Sequence, residues 1–480
     1  MKNSELIIGS RGKSENNKEM SYLLQSTYIK ILNPIYALTG RINENTRNRI
    51  IFILFLVIFL YLIFYRAPIS SSQIKEVLET QFEKHLFGCV MLILLTIISI
   101  NKPLTHVKWR YTILIPQLLL GAGMVVVGFI HPIGPGYQIT GFMLIFLFPC
   151  LYFVWNNRGD YDRLFSSLSF AMIVANMFLV VLTVYYALQG QLTFEVGRCI
   201  GIMNNSNGFS LVGLELVLGA MYLLLSHQHR WVLSILLSFV AGIGLGIIII
   251  GQMRIAVMIL FVCFLSAFIF CMRNKRKTCY KKALRLLVGA FFILQGVLFS
   301  LALVQINYAV VASEVDATQE TTQETIPETT QPVETPPSPS IVDRFDIAGQ
   351  DANSFSSGRV AIWKNYANKL NLLGNNRDNY NIVEMTGIKY PYAHNVFLEV
   401  GYRCGVPIGI LAVIVILIPG LIAIRYVFFK RNAERYLLFP IFAILAYALE
   451  ALLDCAFLPF FQAEALCYYL ALAVFIDARS

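Results

Sequence analysis

The sequence has few charged side chains and no closely paired cysteines, and each shortage excludes a class of protein or site. Only 14% of its 480 residues are charged and 57% are hydrophobic, whereas soluble domains carry about 25% charged residues. The nine cysteines include no C-x-x-C pair, so no metal site formed by cysteines is expected. These shortages exclude an ordinary soluble domain and argue against a cysteine-based metal site.

Long apolar stretches are abundant instead. A helix needs about 20 apolar residues to cross a bilayer, and we count about twelve stretches of suitable length. They lie near residues 50–66, 86–101, 110–130, 138–155, 164–188, 207–226, 231–250, 254–272, 284–312, 404–429, 436–453 and 457–476. The sequence therefore predicts an all-α polytopic membrane protein with about 12 transmembrane helices. Because the first forty-odd residues are polar, we expect no cleavable signal peptide.

Lysine and arginine clusters predict how these helices are oriented. The clusters occupy residues 41–49, 102–110, 273–285 and 425–435, all on one side of a twelve-span arrangement. Such residues collect on the cytoplasmic side, so both termini are predicted to be cytoplasmic. This bias also explains the net charge of +10. The basic balance therefore implies no nucleic-acid partner.

This topology divides the chain into four parts. Residues 1–49 form a cytoplasmic N-terminal segment, and residues 50–312 contain transmembrane helices 1–9. A large extracytoplasmic loop between helices 9 and 10 covers residues 313–393. Residues 394–480 contain helices 10–12 and a short cytoplasmic tail.

The predicted loop has two compositions. Residues 316–340 are rich in Thr, Glu and Pro, which predicts a disordered linker. Residues 341–393 contain aromatic and aliphatic side chains and are predicted to be partly helical. An amphipathic helix on the membrane face is expected there, because Val360, Trp363, Ala367 and Leu370 recur at helical spacing.

A small set of polar residues at the outer ends of predicted spans carries the functional hypothesis. His394, with Asn395 and Glu399, begins a span directly after the loop. Arg198 and Arg254 lie on the outer side, where positive-inside bias disfavours arginine. A guanidinium can bind a diphosphate with two hydrogen bonds, which predicts an anion site. The alternatives are a capping histidine and two interfacial cations whose side chains reach water.

Embedded acids form a second group. Glu215, Glu450, Asp454 and Glu464 lie in or next to predicted spans, and a structural role is favoured for them. Glu450 and Asp454 are spaced to share a helix face, where they could pair with one of the arginines. Cys199 and Cys404 both lie near the outer face, which leaves a pairing between them open.

Several short motifs occur in a recurring order along the chain. They are Arg198 and Gly201 with Asn204, Asn205 and Asn207; Arg254; Ser357, Gly358, Arg359 and Trp363; and His394, Asn395, Leu398, Glu399 and Gly405. With the large outer loop before the last three spans, this order resembles the O-antigen ligase and polymerase superfamily. The chain departs from that family where Ser206 replaces a common proline and Met253 a common serine.

The resemblance implies a function and a set of site residues. Members transfer a glycan from an undecaprenyl diphosphate carrier to an acceptor sugar, at the outer face of the bacterial cytoplasmic membrane, without a metal or a cofactor. By this resemblance Arg198, Arg254 and Arg359 bind the donor diphosphate, and His394 takes the proton of the attacking hydroxyl. The supporting residues are Asn205, Asn207, Trp363, Asn395 and Glu399.

Three functions stay open at this point. Polymerisation of surface polysaccharide repeat units is favoured over ligation of the glycan to a lipid or protein acceptor. A transporter or flippase of lipid-linked sugars is the alternative of another class, since it also needs about twelve spans and cations for a diphosphate. The expected partners are the lipid-linked donor, a glycan or lipid acceptor, membrane lipids and other polysaccharide assembly proteins.

Overall fold

A computed structural model of the chain describes residues 22–66, 81–131, 133–195, 198–203, 205–226, 231–273, 279–321, 358–375, 384–385, 388–389, 392–430, 434–454 and 457–478. Most of these residues are helical, and the strands among them form two short antiparallel hairpins. The architecture is that of an all-α multi-pass membrane protein, as the apolar stretches predict.

We number the helices and strands of the described residues from the N terminus. In chain order they are α1 (residues 22–39), α2 (Glu44–Arg66), α3 (Gln81–Ser99), α4 (Tyr111–Ile130), α5 (Pro135–Arg158), α6 (Tyr161–Leu188), β1 (Thr193–Glu195), β2 (Arg198–Gly201), α7 (Ser206–Ser226), α8 (Trp231–Gly251), α9 (Arg254–Arg273), α10 (Cys279–Thr321), α11 (Arg359–Asn368), β3 (Glu384–Met385), β4 (Ile388–Lys389), α12 (Val396–Cys404), α13 (Val406–Phe428), α14 (Leu438–Leu453) and α15 (Ala463–Ile476). A π-helical turn at Met143–Leu147 interrupts α5.

Ten helices within the described residues are long and apolar enough to cross a membrane. Two of the predicted spans correspond to shorter apolar helices, His85–Ser99 within α3 and Ala463–Ile476, which is α15. Every residue of α15 is buried. A helix that is apolar on all sides and buried throughout belongs to the centre of a helical bundle.

The chain folds into two compact units. The first contains Met1–Ile58, Leu78–Leu168 and Arg359–Ser480, and the second contains Phe59–Val77 and Ser169–Gly358. Helices α2 and α6 each contribute residues to both units.

Aromatic side chains around α15 form the centre of the first unit. The rings of Tyr447 and Tyr468 stack with their centroids 4.5 Å apart, and Phe148 stacks on Tyr469 at 5.2 Å. The buried hydroxyl of Tyr468 donates a hydrogen bond to the carbonyl oxygen of Val415 at 2.6 Å. Such a bond removes most of the penalty for burying a polar group among helices.

One arginine of the basic cluster at residues 41–49 has a structural role in the first unit. The Arg47 side chain is 1% exposed and donates to the carbonyl oxygens of Ile98, Ile100 and Thr39 at 2.6–2.7 Å. These carbonyls lie at or just beyond the ends of α1 and α3, where a cation satisfies acceptors that a helix leaves unpaired. Arg47 therefore joins two helix ends in addition to contributing to the charge bias.

Glycines permit close helix packing in the second unit. A Cβ atom added to Gly213 of α7 would lie 2.5 Å from the carbonyl oxygen of Gly244 of α8, and the reverse distance is also 2.5 Å. Helix α8 is packed as closely against α10. A Cβ atom added to Gly242 of α8 would lie 2.1 Å from the carbonyl oxygen of Ile293 of α10. Small residues at helix crossings allow this approach, as is common in membrane bundles.

We expect Gly213→Ala to destabilise the protein by about 1–3 kcal/mol, the usual cost of overpacking. The matched control is Gly420→Ala in α13, where an added Cβ would meet nothing within 4 Å and the better helix propensity of alanine favours folding. Thermal unfolding of both purified variants in detergent measures the difference. Equal melting temperatures for the two variants would contradict the close crossing of α7 and α8.

The predicted loop at 313–393 is described in part. Helix α10 ends at Thr321, whereas the sequence predicts a disordered linker from residue 316. Residues 316–321 are therefore helical, because no helix-breaking proline occurs before Pro327. The remainder of the predicted linker lies outside the described residues.

The amphipathic helix predicted in the loop exists as α11, but another face of it is packed. Ile362 and Tyr366 are 3% and 2% exposed, whereas Val360 is 39% exposed. Ile362 and Tyr366 pack with Ala393 and Tyr402 in one cluster. Val360 and Ala367, which belong to the predicted stripe, are exposed on α11, and the contact of that stripe with the membrane face stays a prediction.

Candidate functional site

The turn that carries His394 has an unusual backbone. His394 has a φ of +49°, and among the described residues only Gln252 is another non-glycine residue with positive φ. The left-handed region costs an L-residue about 1–2 kcal/mol, so the surrounding contacts must enforce it. Strain of this kind is concentrated at functional sites.

Asn395 fixes the C-terminal side of this turn. Its side-chain oxygen accepts a hydrogen bond from the Leu398 backbone N–H at 3.0 Å, which makes Asn395 the N-cap of α12. Its Nδ2 donates to the carbonyl oxygen of Leu452 in α14 at 2.9 Å. One side chain thus begins α12 and connects the turn to the end of α14.

Glu399 and Trp363 hold the same turn from two sides. The Glu399 side chain is 1% exposed. Its Oε2 accepts a hydrogen bond from the Ala393 backbone N–H at 2.8 Å, and its Oε1 accepts one from Arg403 Nε. Trp363 Nε1 donates to the His394 carbonyl oxygen at 3.2 Å. The structure thus brings together three of the predicted supporting residues, and their contacts fix the backbone of the histidine.

The side chain of His394 lies beside a carboxylate that the sequence does not associate with it. Nδ1 of His394 is 3.8 Å from Asp454 Oδ1, which is too long for a hydrogen bond and leaves an electrostatic contact. The His394 side chain is 36% exposed and that of Asp454 is 18% exposed. Asp454 follows α14 directly, and nothing in the local sequence indicates its proximity to a histidine sixty positions earlier.

Arg359 belongs to the same segment of the first unit. It is the first residue of α11 and is half-buried. Trp363 lies one helical turn later and therefore on the same side of the helix. The predicted residues Arg359, Trp363, His394, Asn395 and Glu399 thus all lie on α11, on α12 or on the turn before α12.

The second unit holds the remaining predicted residues. Arg198 begins β2 and pairs across the hairpin with Glu195, and its Nη2 lies 4.0 Å from Glu195 Oε2. Ser206 Oγ donates to the same carboxylate at 3.4 Å. The Arg198 side chain is 17% exposed, so a cation lies mostly buried next to the start of α7.

The two asparagines near Arg198 have different roles. Asn205 Oδ1 accepts from the Gly208 backbone N–H at 2.6 Å, so Asn205 caps α7. Asn207 lies in the first turn of α7 and is half-buried. Asn205 therefore has a structural function that the sequence motif does not distinguish from substrate contact.

Arg254 lies at the same end of the second unit as Arg198. It is the first residue of α9 and follows the left-handed Gln252. A Cβ at Gly251, the last residue of α8, would lie 2.2 Å from Ser210 Oγ in the first turns of α7. The end of α8 and the start of α7 thus adjoin, which places Arg198, Asn205 and Arg254 at one end of the second unit.

Two cysteines lie next to these groups. Cys199 and Cys404 are buried free thiols, so the pairing that the sequence leaves open is not formed. Burial raises the pKa of Cys199 to about 11 and that of Cys404 to about 12. Both therefore stay protonated at neutral pH and do not act as thiolate nucleophiles.

No protein-family model, curated protein or solved structure matches the chain significantly.

Proposed function

We propose that this protein is a membrane glycosyltransferase that moves an undecaprenyl-diphosphate-linked glycan to an acceptor sugar. The observation that carries the proposal is His394, a half-exposed histidine in a strained turn beside Asp454. A base at the edge of a membrane suits a reaction between a lipid-linked donor and a hydroxyl from the aqueous side. The order of motifs that resembles the O-antigen ligase and polymerase superfamily supports the same proposal.

In this proposal His394 is the general base. Its Nδ1 is buried next to Asp454, which leaves Nε2 for the acceptor hydroxyl. As the hydroxyl oxygen attacks the anomeric carbon, its proton moves to Nε2 and the bond from that carbon to the diphosphate oxygen breaks. The carboxylate of Asp454 stabilises the imidazolium that forms, while Trp363, Asn395 and Glu399 hold the turn.

Arg198 and Arg254 are the proposed ligands of the donor diphosphate. Both begin a secondary-structure element at the same end of the second unit, where their guanidinium groups can bind phosphate oxygens. The leaving diphosphate gains negative charge as the glycosidic bond breaks, so cations placed there stabilise the transition state. Arg359 is the third proposed donor ligand, at the start of α11.

The finer topology belongs to the same proposal. About 12 spans with both termini cytoplasmic place His394 and the three arginines on the extracytoplasmic face of a bacterial inner membrane. We favour polymerisation of repeat units for the capsule or another surface polysaccharide, and ligation to a lipid or protein acceptor is the alternative. The donor, the acceptor, membrane lipids and other polysaccharide assembly proteins are the proposed partners.

One observation favours a function of another class. Glu215 in the middle of α7 is 5% exposed and accepts a hydrogen bond at 2.8 Å from Asn176 in the middle of α6. Ionisable residues inside spanning helices are typical of transporters. The second candidate function is therefore transport of the lipid-linked glycan across the membrane.

One reconstitution distinguishes these functions. The purified protein is placed in liposomes with a lipid-diphosphate-linked repeat unit from the same cell and a chelator, and products are separated on a gel. A ladder of products supports polymerisation, and a single addition to an added lipid or protein acceptor supports ligation. Movement of the donor lipid across the bilayer, with no product under either condition, would replace the transferase proposal by transport.

We expect Asp454→Asn to reduce turnover roughly tenfold, which corresponds to about 1.4 kcal/mol of transition-state stabilisation. The amide keeps the size of the side chain but removes the charge near Nδ1 of His394. The matched control is Glu434→Gln, an exposed acid before α14. The rate of ladder formation in liposomes is measured for both variants. If Asp454→Asn has wild-type turnover, Asp454 has no part in the mechanism.

A further inference from the structure

The segment that follows α11 is fixed to the break between α12 and α13. We define residues 369–375 as the strap. Asn371 Oδ1 accepts from the backbone N–H groups of Leu373 and Gly374 at 3.0 and 2.5 Å. The backbone N–H and the Nδ2 of Asn375 both donate to the Tyr402 carbonyl oxygen at 2.9 Å. These hydrogen bonds hold the backbone of the strap against the end of α12.

Two glycines let the strap touch the break directly. Gly374 has a φ of +84°, and a Cβ there would lie 2.2 Å from the carbonyl oxygen of Arg403. Gly405 has a φ of +94°, and its Cβ would lie 2.2 Å from the carbonyl oxygen of Leu372. Backbone therefore packs on backbone, and the strap is a fixed part of the first unit.

The strap lies where two spanning helices reach the same membrane surface. The N–H of Val406, the first residue of α13, donates to the Asn371 carbonyl oxygen at 2.9 Å. Nε2 of His131, which directly follows α4, is 2.6 Å from the carbonyl oxygen of Leu373. Helix α4 ends and helix α13 begins at the strap, so one bilayer surface passes close to it.

The side chains presented there are apolar and exposed. Leu372 and Leu373 are 74% and 57% exposed, and Phe129 and Ile130 at the end of α4 are 79% and 57% exposed. Hydrogen bonds hold the backbone of the strap, so both leucines stay at its surface. Apolar groups held at the end of a spanning helix are stabilised by insertion among lipid headgroups and the first acyl carbons.

We propose that Leu372 and Leu373, together with Phe129 and Ile130, form a lipid anchor that inserts into the bilayer surface. The partner is the lipid itself, because the anchor adjoins the ends of two spanning helices. The anchor holds the strap, and through it α11 and the His394 turn, at a constant depth. This proposal does not depend on the proposed chemistry.

The test uses the full-length protein with a benzophenone amino acid at position 373. The protein is reconstituted in vesicles of phosphatidylethanolamine and phosphatidylglycerol and irradiated, and lipid adducts are measured by intact mass. The control is the same probe at Asn368, an exposed polar position of α11 outside the stripe that is predicted to face the membrane. We expect several-fold more lipid adduct at position 373 than at position 368.

Two results would overturn the proposal. One is equal lipid labelling at positions 373 and 368, and the other is a predominant cross-link to a second copy of the chain. If the variant at position 373 does not fold, as judged by its elution in detergent, position 372 takes its place, since that side chain is 74% exposed. Several-fold more lipid adduct at position 372 than at 368 would support the anchor equally.

Discussion

His394→Ala is expected to abolish the ladder of products, with a loss of roughly 10²–10⁴-fold in turnover, the range that general acid–base catalysis contributes. The methyl group of alanine cannot take the proton of the acceptor hydroxyl, while Arg198, Arg254 and Arg359, the proposed diphosphate ligands, are unchanged. The measurement is the initial rate of ladder formation in liposomes at saturating donor. Donor binding, measured separately, should be close to that of the wild type.

Two further variants separate chemistry from folding. His394→Gly also lacks the imidazole, but glycine adopts a φ of +49° without the cost that alanine meets. We therefore expect His394→Gly to be as inactive as His394→Ala and at least as stable in a thermal melt. His106→Ala, at an exposed histidine that stacks on Tyr22, should retain full turnover. An active His394→Gly would show that the backbone of this turn matters and the imidazole does not.

Arg198→Ala and Arg254→Ala are each expected to reduce turnover by roughly 10²–10³-fold, the usual effect of removing one preorganised group that stabilises transition-state charge. Lysine should restore little in either position, because an ammonium group cannot bind two phosphate oxygens in the planar geometry of a guanidinium. Rates with a lipid diphosphate donor give the magnitude. Unlike the histidine variants, these variants should also bind the donor more weakly.

The matched control for the two arginines is Arg163→Ala. The Arg163 side chain is 60% exposed and lies 3.6 Å from Asp160, and exposed ion pairs of this kind contribute little. It should leave both turnover and donor binding unchanged. If all three arginine variants keep the wild-type rate, Arg198 and Arg254 do not bind the diphosphate, which must then bind elsewhere.

Hydropathy was sufficient to predict the class of fold. A stretch of apolar residues long enough to cross a bilayer has few alternatives to a helix, because lipid leaves backbone groups no other partners. The ends of helices were predicted less accurately, because they depend on more than composition. Helix α10 extends into residues 316–321 because helical order ends at a breaker, and the first proline comes later.

Sequence order predicted residues of the candidate site but not their contacts. Asn205 and Asn395 were predicted only as supporting residues, and in the structure each caps a helix. Glu399 is bonded to a backbone N–H of the turn, a contact that its motif does not reveal. Asp454 was predicted from helical spacing to share a face with Glu450, and the structure places it beside His394.

The amino-acid sequence by itself determined that this is a multi-pass helical membrane protein and which polar residues stand at the ends of its helices. Both depend on local composition, since the cost of placing a polar group in lipid applies at each position separately. Only the tertiary structure decided which face of α11 packs, that Asp454 meets His394 and that the strap presents Leu372 and Leu373. Those contacts join distant parts of the chain, so they depend on how the helices pack rather than on any local pattern.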